Sequence, residues 1–163
     1  MTTASGCRVR VPATTANLGP GFDCLGMALD LWNDMRFSLE GDGVCVMTVG
    51  EHGETLPTDD TNLVARAFLR LYEEAGAAPP AGLAIHCDLR VPPSSGLGSS
   101  ASAVVAGLLG ANTLLGRPFD EARLLELAAD IDGHPDNVAA TLLGGLTIVV
   151  RKEDRLLLSL IHI

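Results

Sequence analysis

Glycine and serine are concentrated in residues 91–101, which read Val-Pro-Pro-Ser-Ser-Gly-Leu-Gly-Ser-Ser-Ala and lead into an alanine-rich stretch. Glycine lets a backbone approach a ligand closely, and the N–H groups and dipole of a helix N-terminus attract negative charge. The segment therefore predicts a loop that binds a nucleotide or another phosphorylated ligand. A simpler interpretation is a connecting loop in which Ser99 or Ser100 is the helix N-cap. We call residues 92–101 the glycine–serine loop.

A second polar cluster lies near the N-terminus, where residues 12–23 read Pro-Ala-Thr-Thr-Ala-Asn-Leu-Gly-Pro-Gly-Phe-Asp. The amide of Asn17 can donate and accept hydrogen bonds, and the carboxylate of Asp23 can hold an ammonium or a hydroxyl group. Both residue types are also common turn formers whose side chains bond to their own backbone. The residues themselves favour the turn interpretation.

A third cluster, residues 130–137, reads Asp-Ile-Asp-Gly-His-Pro-Asp-Asn. Carboxylate oxygens near a phosphate-binding loop are the hard ligands that Mg²⁺ prefers, with phosphate oxygens completing its shell. The alternative is a solvated loop in which Asp136 or Asn137 caps a helix that begins near Val138. The spacing alone leaves both interpretations open.

Hydrophobic patterning predicts the elements that position these clusters. Strands are predicted at residues 7–11, 35–39, 44–49, 83–87 and 145–150. Helices are predicted at residues 59–76, 99–115 and 119–131. Residues 11–26 are predicted to form a loop, and strand 44–49 to pair with strand 35–39 across the turn at residues 41–43. Strands and helices that mix without strict alternation favour an α+β fold.

Composition narrows the class of protein. The chain has 163 residues, of which 47% are hydrophobic, enough for one domain with a core. Its net charge of −9 argues against nucleic acid or an anionic membrane as a partner. We find no apolar run as long as the roughly 18 residues of a membrane span, and no secretory signal. The four scattered cysteines are expected to be reduced, buried thiols in a cytoplasmic protein rather than a zinc site.

The three clusters, taken in chain order, resemble the GHMP small-molecule kinases and, among them, the homoserine kinases. Residues 92–101 are similar to the phosphate loop P-x-x-x-G-L-G-S-S-A of that family. Residues 11–23 are similar to the N-terminal signature of the homoserine kinases, and residues 133–139 with the following Gly144-Gly145 to a third conserved segment. The resemblance covers residues 7–150. It implies an α+β domain like domain 2 of ribosomal protein S5, and ATP-dependent phosphorylation of the L-homoserine hydroxyl to O-phosphohomoserine in threonine biosynthesis.

The resemblance also assigns roles by position. The segment that would bind ATP comprises Pro92, Pro93, Ser94, Ser95, Gly96, Leu97, Gly98, Ser99, Ser100 and Ala101. The Mg²⁺ ligands would be Ser100 and Asp130, although the family usually has a glutamate at the second position. The homoserine-binding residues would be Asn17, Asp23, His134 and Asn137. The catalytic candidates are Asp23, near the acceptor hydroxyl, and Asp136, which matches an aspartate that is catalytic in relatives such as mevalonate kinase.

The resemblance also has limits. Homoserine kinases are about twice as long, and residues 151–163 do not match the family's continuation. We therefore expect an ATP-binding domain at residues 1–150, followed by a truncation or foreign junction whose apolar residues have no partner. We expect the isolated chain to have little or no kinase activity. Another GHMP kinase and a non-catalytic nucleotide-binding fragment are the alternative functions, and a homodimer is a candidate assembly because family members are often dimers.

Overall fold

A computed structural model describes residues 5–50, 53–153 and 155–161. The six strands of the described residues are β1 (Gly6–Leu18), β2 (Gly21–Ser38), β3 (Gly43–Gly50), β4 (Gly82–Leu89), β5 (Leu146–Lys152) and β6 (Arg155–Ile161). Their four α-helices are α1 (Leu63–Glu74), α2 (Ser99–Leu114), α3 (Glu121–Asp132) and α4 (Pro135–Leu143). Of these helices, none is long and apolar enough to cross a membrane.

The sheet is organised around the long strand β2. Strand β1 runs antiparallel along one edge of β2. The other edge pairs with β4 through residues 34–38 and with β5 through residues 25–27, both antiparallel. Strand β3 lies parallel to β4, and β6 lies antiparallel to β5. Because β2 contacts three strands, it joins the two halves of the sheet.

The helices pack together and against the sheet, and the core lies between them. Helix α2 is apolar almost all round, and it contacts β1, α1, α3 and α4. The stacked rings of Phe37 in β2 and Phe68 in α1 lie 5.6 Å apart at the centre of this core. The mixed α/β fold confirms the predicted class, and the helix predicted at residues 99–115 corresponds closely to α2.

The prediction of a loop at residues 11–26 is wrong, because β1 and β2 form a hairpin through most of this segment. The strands join at a turn containing Gly19, which has a φ of 56°. The pairing is interrupted between Pro12 and Ala13 and again between Ala16 and Leu18. Local composition is typical of a loop here, but cross-strand hydrogen bonds keep the segment extended.

The predicted pairing of residues 44–49 with residues 35–39 is also wrong. Strand β4 lies between β2 and β3, and it pairs with β3 in parallel. Parallel neighbours require a crossover connection, and the segment that contains α1 provides it. The turn at residues 41–43 therefore leads away from β2 instead of closing a hairpin.

The described part of the segment after residue 150 has a backbone partner, contrary to expectation, while its apolar side chains Leu157, Leu158 and Ile161 remain 54%, 42% and 47% exposed. Strand β5 runs past residue 150 to Lys152, and β6 pairs with it, placing Val150 opposite Leu157. The predicted domain boundary thus falls inside a strand. Residues 154, 162 and 163 lie outside the described residues.

Candidate functional site

The glycine–serine loop connects β4 to α2, and its last three residues form the first turn of α2. Ser94, Gly96 and Gly98 have φ angles of 59°, 76° and 68°. Gly98 is the N-cap residue of α2, and no side chain caps this helix. The interpretation of Ser99 or Ser100 as the N-cap is therefore wrong. An uncapped helix N-terminus behind a glycine-rich loop is suited to binding an anion.

Strand β1 contacts the glycine–serine loop through Thr14. The backbone N–H of Thr14 donates to the carbonyl oxygen of Leu97 at 3.1 Å. A Cβ atom on Gly98 would lie 1.9 Å from Thr14 Oγ1, so only glycine fits at that position. Sequence reasoning missed Thr14 because the residue lies in the segment predicted as a loop.

A polar cleft of about 340 Å³ lies on one side of the loop. It is lined by Ala16, Asn17, Ser94, Ser95, Gly96, Gly98, Ser99, Ser100 and Asn137. The structure thus brings together the loop, two residues of the second cluster and one residue of the third.

A second cleft of about 310 Å³ also borders the loop, and we call it the apolar cleft. Its lining is mostly apolar and includes Met35, Leu56, Pro57, Leu63, Val64, Cys87, Leu89 and Ala103. Ser94, Ser99 and Ser100 line both clefts. Sequence reasoning missed the apolar cleft, because its residues come from well-separated segments of the chain and carry no motif.

Asn17 and Asp23 lie on either side of the hairpin turn, with φ angles of 59° and 57°. The backbone N–H of Asp23 donates to Asn17 Oδ1 at 2.9 Å, so the Asn17 side chain bonds across the hairpin turn. Both residues are exposed, and Asp23 is not among the residues that line the polar cleft. The structure therefore places Asn17 in the cleft and Asp23 next to Asn17.

Asp132, rather than Asp130, is the carboxylate that the structure brings to Ser100. Burial raises the pKa of Asp132, and a hydrogen bond from Ser100 partly offsets that rise. The charge of His134 lowers the pKa of Asp132 as well, whereas the neighbouring Asp136 raises it.

The Asp130 side chain is 61% exposed and forms an ion pair with Arg151 at 3.2 Å. Two residues along a helix correspond to a rotation of about 200°, so Asp130 and Asp132 point in nearly opposite directions from α3. Of the two Mg²⁺ ligands implied by the resemblance, Ser100 thus lies next to Asp132, while the Asp130 carboxylate pairs with Arg151.

Asp136 lies in the first turn of α4, which begins at Pro135 and has the exposed His134 as its N-cap residue. The prediction that this helix begins near Val138 is wrong by three residues. Asp136 is 1% exposed, and its Oδ1 accepts a hydrogen bond from the Asn137 N–H at 2.8 Å. Its Oδ2 has no hydrogen-bond partner within the described part of the chain.

The oxygen atoms around Ser100 fit a magnesium ion that is shared with a phosphate. The Ser100 hydroxyl and the neighbouring Asp132 carboxylate are hard donors of the kind that Mg²⁺ prefers. The described residues include no group of three His, Cys, Asp or Glu side chains placed to hold a metal by themselves. Phosphate oxygens would therefore have to complete the coordination shell.

Comparison with known proteins shows the family and the fold to which this domain belongs. The sequence profile of the GHMP kinases N terminal domain matches residues 62–145. The chain belongs to the GHMP kinase family. This GHMP kinase domain is 47% identical over 146 residues to a homoserine kinase from Trichormus variabilis, covering 89% of this chain and 48% of that protein. It is 54% identical over 152 residues to a homoserine kinase from a Synechococcus strain, covering 90% of this chain and 47% of that protein.

The GHMP kinase domain thus spans about half the length of the curated relatives that it matches. Its fold is similar to that of homoserine kinase from Cytophaga hutchinsonii, with a TM-score of 0.83 and 34% identity over 98% of this chain and 53% of that chain. Mevalonate kinase from Methanococcus jannaschii shares the fold with a TM-score of 0.72 and 14% identity, over 94% of this chain and 56% of that chain.

Proposed function

We propose that this chain is the ATP-binding part of a cytoplasmic enzyme of threonine biosynthesis. The enzyme transfers the γ-phosphoryl group of ATP to the side-chain hydroxyl of L-homoserine and forms O-phosphohomoserine. One observation carries the proposal. In this GHMP kinase domain the glycine–serine loop leads into α2, whose N-terminus no side chain caps, and it borders both an apolar and a polar cleft. Its similarity to homoserine kinases supports the choice of acceptor.

The two clefts suit the two substrates of the proposed reaction, ATP and the acceptor. The apolar cleft suits a nucleobase, because its walls are mainly aliphatic. The loop suits the triphosphate, because the backbone N–H groups of its last residues lie at the N-terminus of α2. Ser94, Ser99 and Ser100 border both clefts, so phosphates on the loop lie between the nucleobase and the acceptor.

Ser100 and Asp132 are the residues that would hold Mg²⁺ together with the phosphates. The ion, when bound, supplies positive charge that offsets the charge of the transferring phosphoryl group. The buried Oδ2 of Asp136 adds negative charge near this site. Asp130 is not part of this proposal, because its carboxylate pairs with Arg151.

Asn17 and Asn137 line the polar cleft and are the proposed contacts for the polar groups of the acceptor, with His134 and Asp23 nearby in the chain. Phosphoryl transfer through a loose transition state depends mainly on positioning. Asp136 bonds to the backbone of Asn137, so we assign it to orienting Asn137. Asp23 remains the proposed contact for the acceptor hydroxyl.

Two measurements test the proposal. The 163-residue chain should bind Mg²⁺-ATP in a calorimetric titration, yet show little turnover in a coupled assay with L-homoserine. A chimera in which residues 5–161 replace the aligned half of the Synechococcus relative should phosphorylate L-homoserine in preference to mevalonate and galactose.

The results of these two measurements distinguish the proposed function from the alternative functions. Preference for mevalonate or a sugar would indicate a different GHMP kinase. Binding of Mg²⁺-ATP without transfer in the chimera would indicate a non-catalytic nucleotide-binding domain. Full turnover by the chain alone would overturn the expectation that it is incomplete.

A further inference from the structure

Asn33 occupies an inward-facing position of β2, on the same face of the strand as the core residue Met35. Asn33 and Met35 are 0% exposed, and Val11, the partner of Asn33 in β1, is 1% exposed. A buried polar side chain without partners destabilises a protein by about 1–3 kcal/mol. The Asn33 amide must therefore have hydrogen-bond partners inside the protein.

The amide of Asn33 forms hydrogen bonds with the residues that immediately precede and follow the glycine–serine loop. Its Oδ1 accepts hydrogen bonds from the backbone N–H groups of Arg90 at 2.8 Å and Val91 at 3.0 Å. Its Nδ2 donates to Ser102 Oγ at 2.8 Å. Arg90 and Val91 come directly before residues 92–101, and Ser102 comes directly after them.

We propose that Asn33 is a positioning residue, which fixes the two ends of the glycine–serine loop and so holds the loop in the shape that binds a polyphosphate. Asn33 lines neither cleft, so it acts through the loop and not on the ligand. The inference rests on the proposed function, because it takes the loop to be the site of the nucleotide phosphates.

The conformation of the loop explains why its ends need to be fixed. Ser94, Gly96 and Gly98 all have positive φ angles, and glycine reaches many other conformations at similar free energy. A ligand that has to order a loop binds more weakly, because part of the binding free energy is lost as conformational entropy. Three hydrogen bonds made by one buried side chain limit that loss before the ligand arrives.

Asn112 offers a matched control at the other end of α2. It is 5% exposed, its Nδ2 donates to the Phe119 carbonyl oxygen at 3.0 Å, and its Oδ1 accepts from the Phe119 N–H at 3.1 Å. Asn112 is thus a buried amide that bonds to backbone across a loop, but it lies away from both clefts. Loss of Asn112 should affect stability without affecting the glycine–serine loop.

The experiment compares Asn33→Ala, Asn33→Asp and Asn112→Ala in the full chain. Dissociation constants for Mg²⁺-ATP and for inorganic tripolyphosphate are measured by calorimetry, at a temperature where urea unfolding shows every variant to be folded. Asn33→Ala should bind both probes about tenfold more weakly than wild type, whereas Asn112→Ala should bind them as wild type does. Asn33→Asp should recover most of the affinity, because it keeps the acceptor for Arg90 and Val91 and can accept from the Ser102 hydroxyl.

A readout without ligand separates this inference from the proposed function. The N–H of Thr14 bonds to Leu97 within the loop, so its hydrogen exchange, measured by NMR, reports on the loop. Exchange at Thr14 should be faster in Asn33→Ala than in Asn112→Ala. Equal exchange, or equal loss of affinity in the two alanine variants, would overturn the role of Asn33. Failure of the wild type to bind either probe would overturn the proposed function, while exchange at Thr14 would still decide the role of Asn33.

Discussion

Thr14 Oγ1 donates a hydrogen bond to Asn137 Oδ1 at 2.8 Å, across 123 residues of the chain. Thr14 is 0% exposed, and its backbone N–H bonds to the Leu97 carbonyl oxygen. One residue of β1 therefore connects the glycine–serine loop to α4. This connection brings the three polar clusters to one cleft.

Replacing Thr14 by valine should destabilise the protein. Thr14→Val keeps the shape of the side chain but leaves Asn137 Oδ1 without its donor, which should lower the free energy of unfolding by about 1–3 kcal/mol. Thr14→Ser keeps the hydroxyl group and should bind Mg²⁺-ATP as wild type does. Urea unfolding and calorimetry would check both variants, and a valine variant as stable as wild type would contradict the assigned hydrogen bond.

Adding a methyl group at Gly98 should abolish the loop conformation. In Gly98→Ala the new Cβ would meet Thr14 Oγ1, whereas in Gly116→Ala it would meet nothing within 4 Å. Both glycines have positive φ angles, so both variants should lose about 1–2 kcal/mol of stability from backbone strain. Only Gly98→Ala should also lose Mg²⁺-ATP binding in a calorimetric titration. Similar binding by the two variants would show that Thr14 does not constrain the loop.

Asp130 and Asp132 of α3 should differ in how much they contribute to the Mg²⁺ dependence of ATP binding. Mg²⁺ should increase the affinity for ATP in the wild type. In Asp132→Asn this increase should be roughly tenfold smaller, or about 1.4 kcal/mol, because Asp132 is the carboxylate next to Ser100. Asp130→Asn loses an exposed ion pair with Arg151, worth about 0–1 kcal/mol of stability, and should leave the Mg²⁺ effect unchanged. Titrations with and without Mg²⁺ measure the effect, and the reverse pattern would restore Asp130 as the metal ligand.

The thiols should differ in reactivity and in pH dependence. Burial raises the pKa of Cys87 from 9.0 to about 12, whereas Cys45 is exposed and not buried as the sequence led us to expect. A thiol reagent at pH 8 should therefore modify Cys45 while the protein is folded and Cys87 only after unfolding.

Cys87 should also make stability fall as the solution becomes alkaline. Above pH 9 its thiol ionises in the unfolded chain but stays neutral in the folded chain, so the unfolded state is favoured as pH rises toward 12. Relative to Cys87→Val, the wild type should lose on the order of 1 kcal/mol of unfolding free energy per pH unit above pH 9. Parallel curves for the two proteins in urea unfolding would contradict the buried position of Cys87.

The sequence alone was sufficient where the determining interactions are local. Helix α2, the glycine-rich segment before it and the acidic segment at the end of α3 are visible in residues that are near neighbours in the chain. Family resemblance rests on the same short motifs, so it could be stated without a structure. The same reasoning failed at residues 11–26, because an extended polar segment becomes a strand only when a partner strand is present.

Tertiary structure decided which residues meet. Whether Asp130 or Asp132 faces Ser100 depends on the rotation of α3 against α2, which follows from packing and not from the spacing of the carboxylates. No local pattern marks Asn33 in its strand, and nothing in the polar cluster at residues 12–23 singles out Thr14 from its neighbours. They become important because the sheet brings β1 and β2 under a loop more than fifty residues away in the chain, where each buried polar atom needs a partner.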